Sequence, residues 1–257
     1  MMNFPRLATA MSFAVLTAAS CGGSAPPPTS PAPPTASAPK PPPAQTVDTA
    51  VNSKGLREAR EVDYAKPKGR MRIVCVGGSV TFGEGVPRDA TYEAWMQKNM
   101  RGRAYDVEVL NAGKPGRGAL ESAVLLETDL LKYEPDLVIV SIQEGEGTTT
   151  PEALQRIETF LKVRKIVYVL LAVPAFADHP ARLVETFSKD RYDPKQPNVY
   201  LVPAKAALDA YVGKEPLFDA TGGWTGDAHK RMGNALAEMI VGIPLICCAK
   251  GPVTPEP

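Results

Sequence analysis

Histidine is nearly absent from this chain: His179 and His229 are the only two in 257 residues. They stand far apart, and neither has a ligand at helical spacing, so no metal site is indicated. The same scarcity leaves few places for an imidazole base. Cysteine is scarce too. Of Cys21, Cys75, Cys247 and Cys248, Cys75 falls in an apolar run and reads as a small buried residue. Cys75, Cys247 and Cys248 together make no disulfide framework. Charge imbalance is also missing. The formal charge is +1, and removing Arg6, Lys40 and Asp48 with the first fifty residues leaves 27 basic and 27 acidic side chains. That balance argues against a nucleic-acid partner, which calls for a basic patch or stripe. Beyond the N-terminus, no apolar run approaches the ~20 residues of a membrane span.

What is present divides the chain. Residues 1–20 read as an export leader: a short start with Arg6, the apolar run Leu7–Thr17, then the small residues Ala18-Ala19-Ser20 before Cys21. Residues 21–50 hold ten of the 26 prolines and almost no charge, the composition of a semi-rigid polyproline spacer. Residues 51–246 form the globular domain, large enough to bury a core without staples. Residues 247–257 are a tail.

Within the domain, short β-branched runs alternate with helical patterns. Strands are expected at Met71–Val76, Val107–Leu110, Asp136–Ile142, Ile166–Val173 and Asn198–Val202. Helices are expected at Asp89–Met100, Ala119–Leu131, Pro151–Val163 and Gly226–Val241, the last with Thr225 as N-cap. Such alternation predicts an α/β fold: a three-layer α/β/α sandwich around a five-stranded parallel, flavodoxin-like sheet. A sheet of this kind binds ligands beyond the C-terminal ends of its strands, which directs attention to the residues just after each one.

After the first strand stands Gly77-Gly78-Ser79-Val80-Thr81-Phe82-Gly83-Glu84-Gly85-Val86. It lacks the G-x-G-x-x-G spacing of a dinucleotide site and the G-K-[ST] of a phosphate loop, and no cofactor is indicated. The segment resembles the first block of the SGNH (GDSL-like) ester hydrolases, G-D-S-x-T-x-G-x-G-V. Upstream, Asn52-Ser53-Lys54-Gly55-Leu56-Arg57 resembles the N-S-x-G-[FL]-R lead-in of exported members. The leader with Cys21 resembles a bacterial lipoprotein signal, although Ala18 stands where Leu is usual. That resemblance implies a lipid on Cys21, a membrane partner and an address in the cell envelope, at the outer membrane or cell surface.

The family resemblance implies acyl transfer, in which a serine attacks an ester carbonyl and a histidine takes its proton. Ser79 matches the nucleophile. Gly113 in Asn111-Ala112-Gly113 matches the oxyanion glycine, to act beside the Ser79 backbone N–H. The other blocks depart from the pattern. Gly78 replaces the Asp of G-D-S. The third block reads Gln143-Glu144-Gly145-Glu146, with Gly145 at the asparagine position. Losing one such donor typically costs ~10²–10³ in rate. A gapless alignment of the last block puts Gly223 at the catalytic histidine and Ala220 at its aspartate, leaving Asp219 with no base to orient. A rival alignment pairs Asp227 with His229 as a D-x-H dyad. His179, in the loop after the fourth strand, is a further candidate base. Two readings remain. One is a catalytically degenerate domain that binds an acylated carbohydrate, cell-wall component or lipid. The other is an active esterase with Ser79 as nucleophile and His229, held by Asp227, as base. A weaker third makes the acidic loop Glu144–Glu146 a protein contact.

Overall fold

Met71–Gly77 is buried along its whole length and forms the interior strand β1. It pairs in parallel with β2 (Val107–Gly113) on one side and β3 (Leu137–Gln143) on the other. Strands β4 (Val167–Val173) and β5 (Val199–Pro203) complete a five-stranded, all-parallel sheet of order β2-β1-β3-β4-β5. These relationships come from a computed structural model that describes residues 47–143, 145–173, 199–209 and 216–243. The leader, residues 21–46 of the tether with Cys21, Glu144, His179, Cys247 and Cys248 lie outside the described residues.

The strands are apolar on both faces because helices cover both faces. Met71, Ile73, Cys75, Ile139 and Val169 pack toward α2 (Tyr92–Gly102) and the long last helix Gly226–Val241. Val74, Val76, Val138, Val140 and Leu170 pack toward α3 (Ala119–Thr128) and α4 (Pro151–Val163). The result is the expected three-layer sandwich. Cys75 is a free thiol sealed in the first of these cores. At the N-terminal end of the sheet, buried Arg72 pairs with Glu108 at 2.7 Å, directly across the β1–β2 register. A slip of one residue would part these two buried charges, which makes the pair a register lock.

Two short helices were not expected: α1 (Ser79–Phe82), a single turn after β1, and α5 (Ala204–Asp209) after β5. The last helix is therefore α6. The expected helix from Asp89 is a 3₁₀ turn at Arg88–Ala90 and then α2, because the Thr91 side chain accepts the Ala94 N–H and restarts the helix there. Pro151 opens α4 behind the N-cap Thr150, and Thr225 caps α6, as their residue types predict.

Candidate functional site

The chain leaves β1 at Gly77 and turns at once into α1, which places Ser79 at the C-terminal edge of the sheet. That turn is held from beneath. The Arg57 guanidinium donates to the carbonyls of Phe82, Gly83 (2.8 Å) and Val86 (2.8 Å). The Asn111 side-chain amide donates to the Thr81 carbonyl at 2.7 Å, and the Thr81 and Tyr92 hydroxyls meet at 3.1 Å. Arg57 is 1% exposed, and burial pulls its pKa down from the usual arginine value. The lead-in arginine is thus a clamp on the serine-bearing turn.

The Ser79 hydroxyl donates to Oε1 of Glu146 at 2.7 Å. The same oxygen accepts the Ser79 N–H at 2.7 Å and the Gly116 N–H at 2.9 Å. Three donors from the ends of β1 and β2 therefore converge on one carboxylate oxygen arriving from the end of β3. The Glu146 loop is anchored behind the side chain. The Thr149 hydroxyl donates to the Glu146 carbonyl at 3.2 Å, and the Leu120 N–H donates to the Thr148 carbonyl at 2.9 Å.

The expected residues fall into place unevenly. Ser79 N–H points into the site. Gly113 does not supply the second donor, because its N–H goes to Oδ1 of Asn111 at 2.9 Å; the converging donor is Gly116, three residues on. His229 is 1% exposed at the start of α6. Its ring lies parallel to Tyr92 and edge-on to Trp224. Its Nδ1 accepts the Tyr92 backbone N–H at 3.2 Å. Nδ1 is the nitrogen that a triad aspartate would hold, and a neutral ring accepting there carries its proton on Nε2. In that tautomer Nε2 is a donor and cannot take a proton from serine. Burial, reinforced by the Arg57 charge, pulls the His229 pKa down to about 3, so the ring is neutral at ordinary pH. Asp227 sits in the first turn of α6 as half of the expected dyad, but the nitrogen it would hold is taken by Tyr92.

Asp219 is occupied with its own loop. Its Oδ1 accepts the Thr221 hydroxyl and N–H, both at 2.7 Å, and the Gly223 N–H at 2.9 Å. The Thr221 hydroxyl leads in holding its carboxyl below the usual range. This Asx-type loop closes a hairpin in which Phe218 bridges Trp224. Gly223 and Ala220, at the triad positions of the gapless alignment, carry no side chain that could act as base or orienter.

Around Ser79 opens a cavity of about 640 Å³ whose walls include Glu84, Gln143, Glu146, Asp219, Trp224 and His229. Among the described residues, its charged lining residues are all carboxylates. Among the described residues no group of histidine, cysteine or acidic side chains could hold a metal.

Glu146 and Gly116 were missed as site residues. The available signals were the Gly145-Glu146-Gly147 run after β3 and the glycines at 113, 116 and 118, at and beyond the end of β2. Only the fold shows which of those glycines faces Ser79.

No protein-family model matches this sequence, and no curated protein matches it. Solved structures do match its fold. The lipase/acylhydrolase from Enterococcus faecalis superposes with a TM-score of 0.53 at 18% identity, over 67% of this chain and 96% of that one. A member of the lipolytic protein G-D-S-L family from Veillonella parvula gives 0.51 at 14% identity, over 68% and 99%. A catalytic mutant of the acetylxylan esterase Axe2 from Geobacillus stearothermophilus gives 0.51 at 14%, over 68% and 96%. At these identities the likeness is one of fold: the chain has the SGNH hydrolase fold shared by lipolytic hydrolases and acetyl esterases.

Proposed function

We propose that this is a catalytically degenerate SGNH-type domain whose Ser79 cavity binds an acylated carbohydrate, cell-wall or lipid ligand. We place it in the cell envelope, held to a membrane through a lipid on Cys21. One observation carries the non-hydrolytic reading. The Ser79 hydroxyl, the Ser79 N–H and the Gly116 N–H all serve one Glu146 oxygen. An ester carbonyl needs those N–H groups for its developing oxyanion, and the carboxylate stands in its place. The tautomer of His229 supports the same conclusion, since it removes the expected proton acceptor. Groups of a triad act as a unit, and losing one leaves only a residual ~10³–10⁴ over the uncatalysed rate.

A second reading draws on the 2.7 Å contact itself: Glu146 as the general base for Ser79 in an active ester hydrolase. Incubating the purified chain with a fluorophosphonate and with an activated acetyl ester separates the two. The degenerate reading expects no stoichiometric adduct on Ser79 and no turnover above a Ser79→Ala control. Adduct formation on Ser79 that is lost in Glu146→Gln would establish the second reading instead.

A further inference from the structure

The geometry points to Glu146 as an internal occupant of the acyl-oxygen seat: its carboxylate closes the Ser79 site, and rotation of the side chain into the adjoining cavity opens it. This rests on the Ser79 cavity being a ligand site, and it adds what gates that site.

The first support is convergence. Backbone N–H groups from the loops after two different strands, together with one hydroxyl, meet on a single Oε1 at 2.7, 2.9 and 2.7 Å. Donors fixed by the main chain in this way are pre-organised for a partly or fully anionic oxygen. The second is the shape of the seat. Gly78 is the residue without which Glu146 could not lie there: a Cβ built on Gly78 overlaps both carboxylate oxygens. The aspartate that the resembling motif carries at this position and the Glu146 carboxylate are therefore mutually exclusive. Two departures from the motif, Gly78 after β1 and Gly145-Glu146 after β3, are halves of one change. The third is room to move. The loop main chain is pinned by Thr149 and by close packing of Gly147 on Gly118, while among the described residues none crowds Gly145. Motion therefore falls to the torsions of the Glu146 side chain, which borders the 640 Å³ cavity.

A tethered carboxylate competes at an effective concentration far above that of a dilute ligand. A ligand placing its own oxygen on these donors binds more weakly by the fraction of molecules in which Glu146 is out.

The test is amide hydrogen exchange on the purified chain, with acetate as probe of the seat. In Glu146→Ala, exchange at Ser79 and Gly116 is expected to rise by about tenfold or more, the equivalent of losing one charge-assisted hydrogen bond. Acetate should slow exchange saturably in that variant, with a Kd about tenfold or more below any seen with the wild type. If Glu146→Ala loses its fold, Glu146→Gln carries the test, with a smaller rise at the same two amides. Unchanged exchange at Ser79 and Gly116 in a folded variant, or equal acetate binding by variant and wild type, overturns the proposal. Fluorophosphonate labelling of Ser79 in Glu146→Ala would overturn the non-hydrolytic reading and leave the gate standing. Unchanged exchange without labelling would do the reverse.

Discussion

The Glu146 carboxylate occupies the volume that a side chain at Gly78 would fill. The two residues are 68 positions apart in the chain and sit at the ends of adjacent strands, β1 and β3. Their complementarity has consequences for stability as well as for ligand access.

Gly78→Ala should expel the Glu146 carboxylate into the adjoining cavity and cost about 0.5–1.5 kcal/mol for the hydrogen bonds it makes with Ser79 and Gly116. Combined with Glu146→Gly the loss should be smaller than the sum of the single losses, because the second change vacates the space the first needs. Urea unfolding of the four proteins measures the coupling. Strict additivity would mean that the two side chains do not share the volume.

His229 should behave as a core residue. Its pKa of about 3 lies below the ordinary 6.5, so the unfolded chain takes up a proton between those values and the folded chain does not. The contribution is complete above pH ~6.5 and is lost as pH falls toward 3. Nitrogen NMR should show the Nε2–H tautomer and no titration of this ring above pH 5. His229→Ala should cost about 2–4 kcal/mol through the cavity and the orphaned Tyr92 N–H. A ring that titrates near 6.5 would contradict the buried placement.

Two glutamates act in the opposite direction. Burial raises Glu93 to about 8 and, against a hydrogen bond from the Asn111 N–H, raises Glu58 to about 7. Both hold protons in the folded state that the unfolded chain has already released above pH ~4.5. Their ionisation therefore erodes stability as pH rises from about 4.5 through 7 and 8. Glu93→Gln should raise Tm at pH 8 and change it much less at pH 5. Thermal melts across this range would reveal a reversed or flat dependence if the carboxyl were ionised in the fold.

Arg57 should resist replacement by lysine. Its planar guanidinium serves the carbonyls of Phe82, Gly83 and Val86 together with that of Asp48, which a single ammonium cannot reproduce. Arg57→Lys should cost about 2–4 kcal/mol and speed amide exchange in the 79–86 segment before the rest of the sheet. Wild-type stability in the lysine variant would show that the clamp is dispensable.

Much of the fold was legible in one dimension. The β-branched runs of β1, β3 and β4 are buried on both faces, so their hydrophobicity is unbroken and easy to read. The helix starts at Thr150-Pro151 and Thr225 depend on local capping chemistry and fell where residue type put them. The start at Asp89 was misjudged because the competing cap, Thr91, lay two residues inside the periodic pattern. The site was half legible. Ser79 stood out through its motif, and the lack of a histidine at 223 was visible by counting. The choice between Gly113 and Gly116 was not, because it depends on which N–H the Asn111 side chain captures.

By itself the sequence determined the alternating elements, the parallel sheet, the position of Ser79 at a strand end and the shortage of bases around it. These follow from local periodicity, capping and composition. Tertiary structure decided that His229 faces Tyr92, that Gly116 and Ser79 share an acceptor, and that the acceptor is Glu146. Those facts depend on the spatial meeting of three strand ends, at Gly77, Gly113 and Gln143, that lie far apart in the chain, and no local pattern encodes which groups meet there.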